Sequence, residues 1–158
     1  MQYKRLIDLL KTLQFKEDSH ESHPEENVLC HSAQSFIRAK KESCDKELQV
    51  ASLFHDIGKV IENRGHEKFS VDILQSFGYN NDKVLWLIKN HMRIRFFLNG
   101  MLKKKKKLKK LLENKWVSEL IHLRRIDGLS RVIGIVPIID IQEVNHLLGE
   151  TNEKSQSW

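Results

Sequence analysis

Apolar residues recur along this chain at three- and four-residue spacing, the pattern of helices that each bury one face. The spacing predicts helices near 3–14, 25–43, 46–60, 66–77, 81–92, 107–113, 115–131 and 139–148. In the segment 46–60, Val50, Leu53, Phe54 and Ile57 fall at i, i+3, i+4 and i+7. Gly65, Gly78 with Asn80-Asn81, and Gly100 mark breaks. Pro24 fits a first helical turn, with Ser22 or His23 as its cap. Val132 to Ile139 is β-branched and suits an extended chain, but a lone extended segment makes no sheet. No linker or internal repeat divides the chain. The fold class expected is all-α, a helical bundle formed by residues 1–149, with 150–158 as a polar, flexible tail.

Polar residues with metal-binding chemistry sit beside the apolar faces. Ser52, His55, Asp56 and Lys59 share a stripe next to the buried side of the segment 46–60. His66 aligns with Phe69, Ser70, Ile73 and Phe77, and His91 with Val84, Leu87 and Ile88. Asp127 aligns with Trp116, Leu120 and Leu123, and His31 follows Val28 by one turn. Any one of these histidines alone reads more simply as a hydrogen-bonded core or surface residue. Several imidazoles and two carboxylates directed into one small core are costly unless something joins them. A divalent metal does so, and imidazole with carboxylate suits Zn, Fe, Mn, Co or Ni better than Ca. Gly58, a weak helix former, permits close approach of another backbone or a ligand.

Charge and composition narrow the picture. The net charge of +6 comes from seven lysines at 103–107, 109 and 110; without them the chain has 20 basic and 21 acidic residues. It is a near-neutral domain with one basic cluster, not a uniformly basic nucleic-acid binder. Two prolines, seven glycines and 40% hydrophobic residues argue against a disordered or fibrous chain. No apolar stretch is long enough for a membrane span. The charge-interleaved start, MQYKRLIDLLK, is no signal peptide. Cys30 and Cys44 form no CxxC pair, so reduced thiols and a cytoplasmic location are expected.

His31, then His55-Asp56 within LFHDIGK, then Asp127 resembles the pattern of the HD superfamily of metal-dependent phosphohydrolases. HPEENVLCH at 23–31, FHDIGK at 54–59, GHEKFS at 65–70, NHMR at 90–93 and LRRIDGLSR at 123–131 are similar, in order and spacing, to the HD domain of bacterial tRNA nucleotidyltransferases, the CCA-adding enzymes. The nucleotide-transferring head of that family has no counterpart here, so the resemblance implies hydrolysis without nucleotide addition. A second His-His-Glu with Gly-Tyr-Pro, and an HDxxED sequence, are absent from the chain. That speaks against cyclic-dinucleotide phosphodiesterases of the HD-GYP type and against guanosine-tetraphosphate hydrolases.

The resemblance implies a first metal held by His31, His55, Asp56 and Asp127. His66 and His91 match the added histidines of two-metal members, with Asp56 as bridge, so one or two ions are expected. Asp56 and Lys59 become the catalytic candidates, and Lys59, Arg93 and Arg131 the candidate phosphate-binding cations. Arg64 is a weaker candidate, and His20, His122 and His146 fall outside the pattern. The implied activity is hydrolysis of a phosphomonoester or phosphodiester: a nucleotide, a 2′,3′-cyclic nucleotide, an RNA-end phosphate or a dinucleoside polyphosphate. The competing class is a non-catalytic or regulatory RNA-binding module that retains the metal core. The run Lys103–Lys110 offers a phosphate contact to RNA. No aromatic or base-reading motif accompanies it, which favours a solvated loop leading into a helix near Leu108.

Overall fold

Short polar side chains set where the helices begin. In the computed structural model, which describes residues 1–16, 27–101 and 105–152, eight α-helices follow one another. They are α1 (Lys4–Lys11), α2 (Val28–Glu42), α3 (Lys46–Phe54), α4 (His66–Ser76), α5 (Asp82–Leu98), α6 (Lys105–Leu112), α7 (Val117–Leu129) and α8 (Ile141–Thr151). Short 3-10 turns occupy Thr12–Phe15 and Ile57–Val60. No β-strand occurs among the described residues, and the fold is all-α. Asn27, Asp45, Asn81 and Asp140 cap α2, α3, α5 and α8, each side-chain oxygen accepting an otherwise orphaned N–H of the first turn. The cap expected at Ser22 or His23, with Pro24, lies outside the described residues.

Helix α3 is central. Leu48, Val50, Ala51, Leu53 and Phe54 are fully or almost fully buried, and the helix packs against α2, α5, α7 and α8. Helix α4 packs on the Ile57–Val60 turn and on α5, which itself lies along α7. Trp86 of α5 meets Trp116, at the head of α7, edge to face with ring centroids 5.9 Å apart. Helices α1 and α8 close the far side: Asn152 Nδ2 donates to the Tyr3 hydroxyl at 2.6 Å and to Gly78 O at 3.0 Å.

Four sequence expectations are corrected. The segment 46–60 is not one helix: α3 stops at Phe54, and a turn through His55-Asp56 leads into the 3-10 turn. Helix α5 passes the expected end at 92 and runs to Leu98, because nothing breaks it before Asn99-Gly100 and Ile94 and Phe97 extend its packed face. The described lysines of the run, Lys105–Lys107, Lys109 and Lys110, are exposed as expected, but they stand on a helix and not in a loop: α6 already begins at Lys105, anchored by buried Leu111 and half-buried Leu108. Lys103 and Lys104 lie outside the described residues. Helix α8 continues to Thr151, and Thr151 and Asn152 are buried; residues 153–158 lie outside the described part.

Val132 to Ile139 forms no strand. The Gln34 amide holds it instead, donating to Val132 O and Ile135 O and accepting from Val132 N. Cys30 is buried and Cys44 exposed, and neither is in a disulfide. No described helix is long and apolar enough to cross a membrane.

Candidate metal centre

The break after α3 has a local cause. The Ser70 hydroxyl donates to His55 O at 3.0 Å and accepts from Gly58 N at 2.8 Å, taking both backbone groups out of the α-helical ladder. Lys59 N turns to Asp56 O, a tighter 3-10 bond. A Cβ on Gly58 would lie 2.0 Å from His66 O and 2.6 Å from Ser70 N. Only glycine lets α4 come this close, and that approach carries His66 to Asp56. Ser70→Ala leaves the buried Gly58 N–H without its partner, at a cost of about 1–3 kcal/mol. Thermal unfolding checks this: a fall of at least about 2 °C is expected for a domain of this size, and an unchanged midpoint would contradict it.

Six side chains converge behind this turn: His31 from α2, His55 and Asp56 from the turn after α3, His66 from α4, His91 from α5 and Asp127 from α7. All are 5% exposed or less. His31 Nε2 lies 2.7 Å from Asp127 Oδ1. His55 Nε2 lies 3.3 Å from Asp56 Oδ2 and 3.5 Å from Asp127 Oδ1. The other Asp56 oxygen, Oδ1, faces His66 Nε2 at 2.9 Å and His91 Nε2 at 3.6 Å. The ligand atoms of His31, His55 and Asp127 fall within 4.8 Å of one another, as do those of His55, Asp56 and His91. Asp56 thus presents one oxygen to each half of the cluster.

Every imidazole is oriented the same way. The Nδ1 atoms of His31, His55, His66 and His91 lie 2.6–2.9 Å from the carbonyl oxygens of Ser130, Ser52, Asn63 and Ile88. A carbonyl only accepts, so each Nδ1 carries a proton and each ring directs its Nε2 at the centre, the arrangement that orients a metal ligand. The Nε2 atoms of His66 and His91 approach each other to 3.1 Å. His55 Nε2 is buried and has no hydrogen-bond partner.

The electrostatics agree. Burial opposes charge on Asp56 and Asp127, yet His55 and Lys59 hold Asp56, and His31 and His55 hold Asp127, well below the usual carboxylate range. Burial pushes the His55 imidazole down, but Asp56 and then Asp127 outweigh it and raise it to about 10. Burial holds His91 below the ordinary imidazole value. Two carboxylates kept ionised in the core, beside inward Nε2 atoms, are a donor set that suits a divalent transition metal.

One side of the cluster opens into a cleft of about 530 Å³, lined by Asp56, Lys59, His66, His91, Asp127 and Arg131 among others. Lys59 Nζ lies 3.6 Å from Asp56 Oδ2, and Arg131 Nη2 lies 3.1 Å from Asp127 Oδ1. Arg64 also lines the cleft. Arg93 does not: it donates to Asn90 Oδ1 at 3.0 Å, and Arg95, one turn beyond His91, takes the place at the wall. Sequence reasoning missed Arg95 because the helix was ended at 92. It also missed Arg124, which pairs with Asp127 Oδ2 at 3.2 Å; its place one turn before Asp127 was the available signal. His122 pairs with Glu42 and His146 with Glu150, both away from the cluster, and His20 and His23 lie outside the described residues.

The family model described as HD domain matches residues 28–131, a span that contains all six clustered side chains. No curated protein matches the chain.

Proposed function

The chain belongs to the HD domain family, and on that premise we propose that it is a metal-dependent phosphohydrolase acting on a phosphomonoester or phosphodiester. One observation carries this reading: four locked imidazoles and two carboxylates aim inward at the foot of a cleft whose walls carry Lys59, Arg95 and Arg131. His31, His55, Asp56 and Asp127 would hold one ion, and Asp56, His66 and His91 a second. When bound, the metal supplies a hydroxide near neutral pH by lowering the pKa of its water.

The protein's own side chains supply the rest. Lys59 is 7% exposed and close to Asp56, so its charge is held where a phosphate oxygen would enter. Arg131 is tied to Asp127 and lines the cleft, which places its positive charge there. Such fixed cations stabilise charge that develops on phosphoryl oxygens. The substrate candidates are a nucleotide, a 2′,3′-cyclic nucleotide and an RNA-end phosphate. The similarity of five sequence motifs to the hydrolytic domain of tRNA nucleotidyltransferases supports screening these first.

Purified protein is expected to contain or bind Mn, Fe, Co, Ni or Zn, measured by metal analysis. It is expected to release phosphate or open a cyclic phosphate only with that metal present. Activity that survives complete chelation would sink the proposal.

A further inference from the structure

Helix α5 brings two stripes to the cleft. His91 and Arg95 form one and Met92 and Phe96 the other, each pair separated by four residues and so on one face. The first stripe is polar and cationic. The second is an apolar wall beside it. Phe96 is 39% exposed. Of the large, exposed apolar side chains in the described part, it is the one that lines this cleft. It makes no ring contact with another described residue. An aromatic face left open in a charged cleft lacks a packing explanation, whereas Phe97 beside it packs on the core.

We propose that Phe96, flanked by Met92, is a stacking surface for the base of a nucleotide whose phosphate sits toward His91, Lys59 and Arg95. This rests on the phosphohydrolase reading and adds to it the part of the substrate that is recognised. Five residues of helix place Phe96 roughly 7.5 Å along the axis from His91. That offset is comparable with the separation of phosphate and base in a mononucleotide. The cleft volume of about 530 Å³ falls in the range of small-molecule sites. Stacking on a phenyl ring is tolerant of base identity, so the wall selects for the presence of a base.

The test compares adenosine 5′-monophosphate, adenosine 3′-monophosphate, ribose 5-phosphate and inorganic phosphate on protein loaded with Mn²⁺. Binding is read by calorimetry, and hydrolysis by phosphate release. The wild type is expected to bind at least one adenosine monophosphate more tightly than ribose 5-phosphate by about tenfold or more. Phe96→Ala should lose about tenfold in affinity for that nucleotide, and Phe96→Trp should keep it, with ribose 5-phosphate and inorganic phosphate shifted by less than about twofold in both. Equal affinity of the wild type for base-bearing and base-free esters would overturn the proposal, as would an unaltered Phe96→Ala. Binding is read without turnover. Base-dependent binding with no hydrolysis of any ester would therefore count against the phosphohydrolase reading while leaving the stacking wall in place.

Discussion

Asp56→Ala is expected to lower metal-dependent hydrolysis on the order of 10³-fold or more, with the helical content retained. Among the described residues, no other side chain faces both halves of the cluster with separate oxygens. Oδ2 lies against His55, His31 and Lys59, and Oδ1 against His66 and His91. Its removal leaves four inward imidazoles and a single remaining carboxylate, Asp127, to hold a dication. Metal content should fall along with activity, while circular dichroism should be largely unchanged, since the helices around the site are held by their own apolar core. Asp56→Asn keeps the shape and loses the charge, so it should fail almost as completely. A variant at either substitution that kept a tenth of the wild-type rate (about 1.4 kcal/mol of barrier) would mean that Asp56 is not at the reacting centre.

Gly58→Ala carries the largest expected effect on stability. The added methyl would lie 2.0 Å from a backbone oxygen and 2.6 Å from a backbone nitrogen, and neither belongs to a flexible side-chain end. The α4 helix must move, and His66 and Ser70 move with it. Forced overpacking of this kind costs about 1–3 kcal/mol, and the upper part of that range or more applies where backbone meets backbone. For a chain of 158 residues this corresponds to a fall in the unfolding midpoint of roughly 6–12 °C. Metal affinity should fall too, because the displaced His66 no longer meets Asp56. An alanine variant that melted with the wild type would show that α4 is not pressed against the turn.

The apolar period located each helix where packing alone governs the backbone. It failed at 46–60 because a competing hydroxyl comes from residue 70, and no local pattern reports a partner so far along the chain. Gly58 was legible as a place of close approach, but the element approaching it was not. The six clustered residues could be placed together because each borders an apolar stripe, and a stripe points to the core. The cations around them were harder. Arg93 follows His91 by two residues, which turns it about 200° around a helix and away from the cleft; Arg95, four residues on, returns to the same side. That distinction was available in the spacing once α5 was allowed its full length. Phe96 lay beyond the expected helix end for the same reason, and its exposure depends on what surrounds it in space.

The edge-to-face contact of Trp86 and Trp116 has a use beyond packing. One indole rides on α5, which carries His91, and the other heads α7, which carries Asp127. Indoles this close couple electronically, so the mating of these two helices writes its own signature in the near-ultraviolet circular dichroism spectrum. Assembly of the half of the protein that carries His91 and Asp127 can be followed optically, without a label and without a substrate.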